Sequence, residues 1–419
     1  MAVGDAHRLI PDCRISVGGK RLAAESDAAL TRVLVDLDVD LFGECVLVFH
    51  DPKLSLMNGK DFAAGVPVKV ELGFGSRLVT VFEGEVVALE PQFRRDVPPA
   101  LRVVCQEALH RLALSQTTRA FNDVDDREIV TKIAQEHGLS ADAPAGSREH
   151  VLQGNVSDAT FLRRIGQKQG FHVRLEGSKL VLGPPPRREE ITLSPGEGIK
   201  KVKVRIKSGA QVGEVTVHGW DPRTRQEIIG RARPEGEIGE GAQQHGGQAS
   251  IAIAGHEPIP TDTATAEAMA RGRMRRLAEG FVTAELEMIG DPRAVPGAVL
   301  KLDKLDDAID GSYRVEHAVH EFSKHGYFAK LNAVRVAKKK PPRPVRAAPA
   351  EQPETGWLEI ELVDERRRPI PGERYRVVTA DGQVIEGRLD DHGRARLTGI
   401  EPGSNTVSFP NFAPDWRRV

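Results

Sequence analysis

The densest group of metal-ligand side chains in the sequence is the run HAVHEFSKH, which contains His317, His320 and His325. Imidazole is a common protein ligand of zinc, so this run is the first candidate for a metal site. The surrounding residues alternate as in a strand, and on a strand residues 317 and 320 point to opposite faces. The spacing therefore predicts ordinary strand histidines that do not share an ion.

Three other short patterns have residue types used in catalysis or phosphate binding. Asp390 to Leu397 reads DDHGRARL, but it offers no nucleophile or matched partner and predicts a solvated turn that leads into a strand. Glu285 and Glu287 share one face of a predicted strand, where solvent exposure accounts for both charges. Gly73 to Arg77 reads GFGSR, which is too short for a phosphate loop and is followed by no helix.

A predicted helix near residue 270 carries Arg271, Arg273, Arg275 and Arg276. These arginines could contact a nucleic acid, but no aromatic residues lie between them to stack on bases, which favours a solvated or interface-facing helix. Lys338 to Lys340 are interpreted in the same way. Neither GxSxG nor HExxH occurs. We therefore predict no catalytic, cofactor-binding or metal-binding residues, and a structural or binding protein rather than an enzyme.

Composition sets the class of the protein. The chain has 419 residues, of which 40% are hydrophobic and 28% charged, so more than one folded domain is expected. Lys and Arg together number 59 against 60 Asp and Glu, for a net charge of −1. A nucleic-acid-binding surface normally brings a basic excess, so no specific nucleic-acid partner is expected.

The lack of a targeting signal and the spacing of the cysteines indicate a reducing cytoplasm. No run is apolar and long enough to cross a membrane, and the N-terminus lacks the apolar segment of a signal peptide. Cys13, Cys45 and Cys105 are widely spaced in the sequence and form no CxxC pair. We interpret them as free thiols in a reducing compartment.

The sequence predicts a mainly β protein, so most of the candidate residues described above are expected on strands and on the turns between them. Residues 1–115 alternate in several segments, which predicts a mainly antiparallel sheet that forms a first β-barrel or a sandwich. In RVLVDLDVDLF, for example, Val33, Val35 and Leu37 fall on one face. Residues 116–188 predict a small α/β module. In it, Ser157 caps a helix over Asp158 to Gln169, Gly170 ends that helix, and a hairpin follows.

Residues 189–336 return to strands and predict a second β-barrel with one helix at about 263–279. A glycine-rich loop is expected from Gly236 to Gly247. The final segment SYRVEHAVHEFSKHGYFAKLNAVRV resembles EGEVVALEPQFRRDVPPALRVVCQ at the end of the first region, since both read as strand, charged turn and strand. This likeness indicates either an internal duplication or a chance similarity of hairpins.

A linker and a small domain complete the predicted organisation. Residues 337–356, AKKKPPRPVRAAPAEQPETG, are rich in proline and charge and predict an extended linker. Residues 357–419 carry short alternating segments separated by Pro-Gly, Asp-Gly and His-Gly turns, the pattern of a small β-sandwich.

The order of these segments resembles the phage late-control D family and the hub half of VgrG proteins. The resemblance covers residues 1 to about 336 and is carried by FNDVDDREIVTKIAQEHGL followed by VLQGNVSDATFLRRIGQKQGFHVRLEGSKLVLG and GEVTVHGWDP. It implies two related β-barrels that flank an α/β insertion. The VgrG barrel and β-helical needle that normally follow are missing from this sequence, and the C-terminal segment is instead similar to transthyretin-like or carboxypeptidase-regulatory-like sandwiches.

The resemblance implies a baseplate hub in a phage tail, tailocin, extracellular injection system or type VI apparatus, and assembly of that particle in the bacterial cytoplasm. The implied partners are two further copies in a homotrimer with interfaces above ~2,000 Å², a sixfold inner tube protein above, and a separate trimeric spike below. Baseplate wedge or LysM-type adaptor components, and a cargo or effector on the C-terminal domain, are also implied. Two other hypotheses remain: a carbohydrate- or receptor-binding tail protein, and a cell-wall hydrolase.

Overall fold

The computed structural model describes residues 10–40, 42–59, 61–95, 97–186, 188–221, 224–236, 240–247, 250–253, 260, 262–338, 356–400 and 403–411. The protein is mainly β, with 53% strand and 16% helix, as the sequence predicts. It divides into two compact units, residues 1–339 and 340–419. None of the described helices has the length and apolar character needed to cross a membrane.

The first β-region, residues 11–106, is an antiparallel sheet around one core. The elements are β1 (Pro11–Val17), β2 (Lys20–Arg21), α1 (Ala24–Ala29), β3 (Leu30–Asp38), β4 (Glu44–His50), β5 (Pro67–Phe74), β6 (Arg77–Arg94) and β7 (Val97–Gln106). The strands pair in the order β3-β4-β7-β6-β5-β1-β2. Alternation explains the core, since Val33 and Val35 of β3 and Leu47 of β4 are fully buried.

The helix–hairpin module, residues 116–183, follows the first β-region and has its own core. Its elements are β8 (Gln116–Val124), α2 (Asp126–Glu136), β9 (Ser140–Asp142), β10 (Glu149–Ser157), α3 (Asp158–Gln169), β11 (His172–Glu176) and β12 (Lys179–Gly183). The Ser157 side chain accepts from the Thr160 backbone N–H, and Gly170 ends α3 with φ 69°. The predicted cap, helix and hairpin are therefore confirmed.

The rest of the N-terminal unit contains nine strands and two helices among its described residues: β13 (Glu190–Pro195), β14 (Gly198–Ile206), β15 (Glu214–Asp221), β16 (Gln226–Ala232), α4 (Glu240–His245), β17 (Ser250–Ile253), α5 (Thr263–Glu279), β18 (Val282–Ile289), β19 (Val299–Leu302), β20 (Gly311–Ser323) and β21 (Gly326–Lys338). Strands β13, β14 and β18 to β21 form the second β-region. They pair in a closed ring, β19-β13-β14-β18-β21-β20, with β20 bonded back to β19. This ring is a six-stranded barrel.

The elements between β14 and β18 form a separate insertion module, which differs from the expectation of one continuous barrel with one helix. Strands β16, β15 and β17 make their own three-stranded sheet. Helix α5 packs on that sheet, with Ala266, Ala270 and Met274 buried against its strands. A second helix, α4, lies inside the segment expected to be a glycine-rich loop. Alternation alone does not show which sheet a strand joins, because it depends only on local burial.

The two β-regions have the same strand order. Neighbouring strands run β3-β4-β7-β6-β5-β1 in the first and β14-β18-β21-β20-β19-β13 in the second, so strands taken in chain order are equivalent. A register shift also recurs, between Leu30 and Arg32 of β3 and between Ile199 and Lys201 of β14. The regions differ at their first strands, since β1 pairs antiparallel with β5 whereas β13 pairs parallel with β19. The common order favours an internal duplication over a chance similarity.

The C-terminal unit contains two small sheets over one core. The sheets pair as β22-β25 and β24-β23-β26. Ile360, Tyr375 and Val377 are buried between them, which is the packing of a β-sandwich. Its strands are β22 (Gly356–Glu361), β23 (Arg374–Val378), β24 (Val384–Arg388), β25 (Arg394–Ile400) and β26 (Thr406–Ser408). The predicted linker lies mostly outside the described residues.

Candidate assembly surface

Strands β3 and β20 join the two β-regions into one sheet. They pair antiparallel from Asp38 opposite His317 to Arg32 opposite Ser323. The result is a continuous sheet of 13 strands. The strands that meet here lie some 280 residues apart in the sequence, so the pairing fixes the position of one β-region against the other.

Charged side chains cross this β3–β20 joint on its exposed face. The His317 Nε2 atom lies 2.6 Å from Asp36 Oδ1, and Arg32 Nε lies 3.0 Å from Glu321 Oε1. Exposed pairs of this kind contribute about 0–1 kcal/mol each, so their larger effect is to favour one register. Sequence reasoning missed these partners; the charges on the outer face of β3 were visible, but nothing local indicates which strand they meet.

On the inner face of the joint, His320 is fully buried and hydrogen-bonded at both nitrogens. Its Nε2 lies 3.1 Å from the carbonyl oxygen of Ala294, and its Nδ1 lies 2.8 Å from Tyr327 Oη. A carbonyl can only accept, so Nε2 carries the proton and Nδ1 accepts from the tyrosine hydroxyl. Burial lowers the pKa of His320 to about 4, which keeps the ring neutral.

We expect His320 to make the stability of the N-terminal unit depend on pH. An unfolded histidine has a pKa near 6.5, whereas folded His320 has a pKa of about 4, so protons favour the unfolded state between these values. The part of the free energy of unfolding that depends on neutral His320 is about 3 kcal/mol. It is fully present above pH 6.5 and is lost as the pH falls to 4. Chemical denaturation at a series of pH values measures it. His320→Gln should remove this part of the pH dependence and the exposed control His325→Gln should keep it; equal slopes in both variants would refute the assignment.

The histidine run HAVHEFSKH therefore forms no shared site. His317 faces outward, His320 faces the core, and His325 lies exposed in the turn after β20. In the described part of the chain, no group of three His, Cys, Asp or Glu side chains is placed to hold a metal ion. The prediction that residues 317 and 320 point to opposite faces is confirmed.

The other candidate patterns lie in paired strands and turns. Glu285 Oε2 lies 3.2 Å from Lys203 Nζ, and Glu287 Oε1 lies 4.0 Å from Lys201 Nζ. Residues 73–77 comprise the end of β5, a two-residue turn and the first residue of β6. In residues 390–397, Asp390 accepts from the backbone N–H groups of residues 392 and 394, which lowers its pKa. The described contacts of each pattern are those of a strand pair or a turn.

The four arginines of α5 differ in their exposure and in their partners. Arg271 lies 3.5 Å from Glu267, and Arg275 lies 3.0 Å from Glu279, both one helical turn away. Arg273 is exposed and Arg276 is half-buried. Ion pairs within the helix therefore use two of the four charges, as expected of a solvated or interface-facing helix.

The three cysteines are buried and free, and all of them belong to the core of the first β-region. Cys45 of β4 lies opposite Cys105 of β7, a proximity that their distance in sequence did not suggest. Burial raises the pKa of Cys13 and Cys105 to about 12, so these thiols stay protonated at neutral pH. They act as small apolar side chains in this core.

Comparison with known proteins gives one family and a set of tail proteins. The model of the family described as Alg8 N-terminal domain matches residues 9–324. A 43 kDa tail protein of prophage MuSo2 from Shewanella oneidensis is 14% identical, with a TM-score of 0.58 over 78% of this chain and 98% of that chain. A tail protein from Neisseria meningitidis MC58 is 14% identical, with a TM-score of 0.55 over 78% and 96%.

A third similar structure is the c3393 protein of E. coli, which is described as a component of the type VI secretion system with structural similarity to the T4 bacteriophage tail proteins gp27 and gp5. It is 12% identical, with a TM-score of 0.52 over 94% of this chain and 95% of that chain. At such identities these likenesses show a shared fold. That fold is the one found in tail proteins and in a secretion-system component.

Proposed function

We propose that this chain, which belongs to the Alg8 N-terminal domain family, is a structural component of a phage tail or related contractile injection machine and acts as its baseplate hub. The fold shared with two tail proteins and a type VI component supports this proposal. The single observation that carries it furthest is the repeated six-stranded order in one chain.

The repeated order offers a simple way to match two symmetries. A trimer of a chain with two equivalent β-regions presents six such regions in a ring, which is the number a sixfold inner tube requires. The same trimer presents three copies of every other surface to a threefold spike. A ring of packed sheets can pass the force of contraction from tube to spike without catalytic turnover, since cores of this kind resist compression.

We also propose that the chain is not an enzyme. Glu285, Glu287 and His317 line one depression of the surface, but each has a charged partner on a neighbouring strand. These pairs support a structural role for the charged side chains. Under this proposal the spike is a separate polypeptide, and the C-terminal β-sandwich reinforces baseplate contacts or carries a cargo. Wedge or LysM-type adaptor proteins would bind the outer side of the hub.

The hub proposal predicts a closed trimer in solution. Size-exclusion chromatography with light scattering should give the mass of three 45.7 kDa chains at micromolar concentration, and electron microscopy of the same sample should show threefold rings. A stable monomer under these conditions would exclude the hub. Mixing the trimer with vesicles or peptidoglycan should give neither membrane binding nor clearing in a zymogram.

A further inference from the structure

Two strands of the N-terminal unit have long stretches of unpaired edge. Strand β14 pairs with β18 along one side, but on the other side it meets β13 only at Gly198 and Ile199. Strand β6 pairs with β5 as far as Glu85, and beyond that point only with β7. Within the described residues, no strand covers Lys200 to Ile206 of β14 or Ala88 to Arg94 of β6. Edges of this length are a template for strand addition.

The strands equivalent to β14 and β6 in the other β-region are covered, and they show which strand can pair with each edge. By strand order, β14 is equivalent to β3 and β6 is equivalent to β20. Strands β3 and β20 pair with each other inside the chain. We infer that β14 of one copy pairs antiparallel with β6 of a second copy and so repeats the β3–β20 joint between chains. This inference rests on the proposed function for the trimer and adds the surfaces that meet in it.

The register follows from the pairs that anchor each strand to its neighbour. The register shift ends at Arg32 in β3 and at Lys201 in β14, so the residues that follow, Val33 and Val202, are equivalent. Val33 then lies opposite Leu47 and Val202 opposite Leu286. Phe322 and Phe93 are equivalent at the tips of the two hairpins, one residue before the last pair of each. Since Phe322 lies opposite Val33 in the chain, Phe93 is expected opposite Val202 of the next copy.

Side-chain exposure matches this assignment. In the covered strand β3 the inward residues Val33, Val35 and Leu37 are 0%, 0% and 7% exposed. Their equivalents in β14 are exposed to a much greater degree, since Val202 and Val204 are half-buried and Ile206 is 54% exposed. Likewise Phe322 is half-buried, whereas Phe93 is 66% exposed. The apolar pattern of a covered edge is present in β14 and β6, and no strand among the described residues covers it.

Charge complementarity supports the same register on the outer face. In the joint within the chain, Asp36 lies opposite Val319. The equivalent positions between copies place Arg205 of β14 opposite Glu90 of β6, an attractive cross-strand pair. Pro91, the neighbour of Glu90, has no backbone N–H to give to a ladder, so side-chain packing supplies a larger share of this contact. A proline there also limits unwanted pairing of free edges.

The inferred contact between β14 and β6 can join three copies into a closed ring. It is heterologous, because each copy offers β14 on one side and β6 on the other, and such contacts form rings when the rotation closes. Around the ring, β3–β20 joints within chains would alternate with β14–β6 joints between chains. Every step would use equivalent strands, so three chains would have nearly sixfold symmetry.

Site-directed cross-linking of the full chain tests the register. In the double variant Glu90→Cys with Arg205→Cys, mild oxidation should link copies into dimers and closed trimers on a non-reducing gel, since directly opposed Cβ atoms lie about 5 Å apart. The matched control, Glu90→Cys with Lys201→Cys, moves one thiol four residues along the same exposed face, about 13 Å away. It should give no covalent trimer. The buried native thiols are present in both variants.

The outcomes separate this inference from the proposed function. A parent trimer whose Glu90 and Arg205 variant gives no cross-link, or cross-links no better than the control, overturns the β14–β6 contact and leaves the hub proposal standing. A parent protein that is a monomer overturns the hub proposal itself. A trimer that cross-links only at the designed pair supports both.

A single substitution gives an independent test of the same edge. Phe93→Asp should weaken trimer association by at least about tenfold, because it puts a charge where an apolar contact is expected. The circular dichroism spectrum of the variant should match that of the parent, since Phe93 is 66% exposed in a single chain and its fold does not depend on this side chain. Leu114→Asp, at a residue 75% exposed and on neither edge, should leave the trimer intact. Trimers of equal strength in both variants would overturn the contact.

Discussion

Replacing Glu279 by alanine is expected to lower the free energy of unfolding of the N-terminal unit by about 3 kcal/mol. Glu279 ends helix α5, and its Oε2 lies 3.0 Å from Arg314 Nη2 on β20. Both side chains are only 10% exposed. The substitution therefore leaves a buried guanidinium with Glu316 as its remaining carboxylate, at 3.3 Å. The Glu279–Arg314 ion pair therefore links the insertion module to the barrel.

The effect on Arg314 can be separated from the loss of helix contacts. Burial acts to lower the pKa of Arg314, whereas hydrogen bonding and charge from Glu279 raise it, so removing Glu279 takes away most of the compensation for burial. The guanidinium nevertheless stays charged, because arginine is not deprotonated in proteins, and the cost appears as lost stability. Glu267→Ala removes the exposed partner of Arg271 on the same helix and should cost less than about 0.5 kcal/mol. Adding Arg314→Met to Glu279→Ala should recover much of the loss. Equal costs for Glu279→Ala and Glu267→Ala in urea denaturation would contradict this account.

Local signals predicted the elements well. Helix α3 runs from Asp158 to Gln169 as its cap and glycine indicate, because both signals act within a few residues of the helix end. The inward face of β3 also follows from alternation. In both cases the information lies in neighbouring residues, and burial by any partner would give the same pattern.

Long-range pairing accounts for what the sequence did not predict. Nothing near Asp36 indicates that His317 is its partner, and nothing near Cys45 indicates Cys105. The sequence predicts strands β15 to β17 as part of the second barrel, because alternating strands look alike whichever sheet they join. The likeness of the two hairpins gave a hint of duplication, but only the strand order reveals that β13 and β14 repeat β1 and β3.

The proposed contact edges on β14 and β6 are also invisible in the sequence, because their partners are distant in the chain or lie in another copy. Val202 and Ile206 alternate with lysine and arginine, as any half-exposed strand does. Their meaning comes from comparison with Val33 and Leu37, which have the same places in the other β-region and are covered. An exposed apolar residue is ordinary on its own, whereas one whose internal equivalent is buried points to a missing partner.

Replacing Gly230 by alanine is expected to destabilise the insertion module by about 3 kcal/mol or more. Gly230 lies in β16 where helix α5 crosses the strand. A Cβ atom there would lie 2.1 Å from the carbonyl carbon of Ala266 and 2.3 Å from the backbone nitrogen of Glu267. These are backbone atoms of the helix and cannot turn aside as a side chain can. The helix must therefore move off the sheet and open the core around Ala266 and Met274.

Gly154→Ala is the matched control for this substitution, because Gly154 also lies in a strand and its added Cβ would have nothing within 4 Å. Its cost should stay within about 0.5 kcal/mol. Hydrogen exchange should show the Gly230→Ala loss first in the amides of α5, since local opening follows the weakest packing. Because α5 also carries Glu279 to the barrel, loosening it should reduce the contribution of the Glu279–Arg314 pair, and the two substitutions should not add. Additive costs would mean that α5 keeps its place on β16 despite the new methyl group.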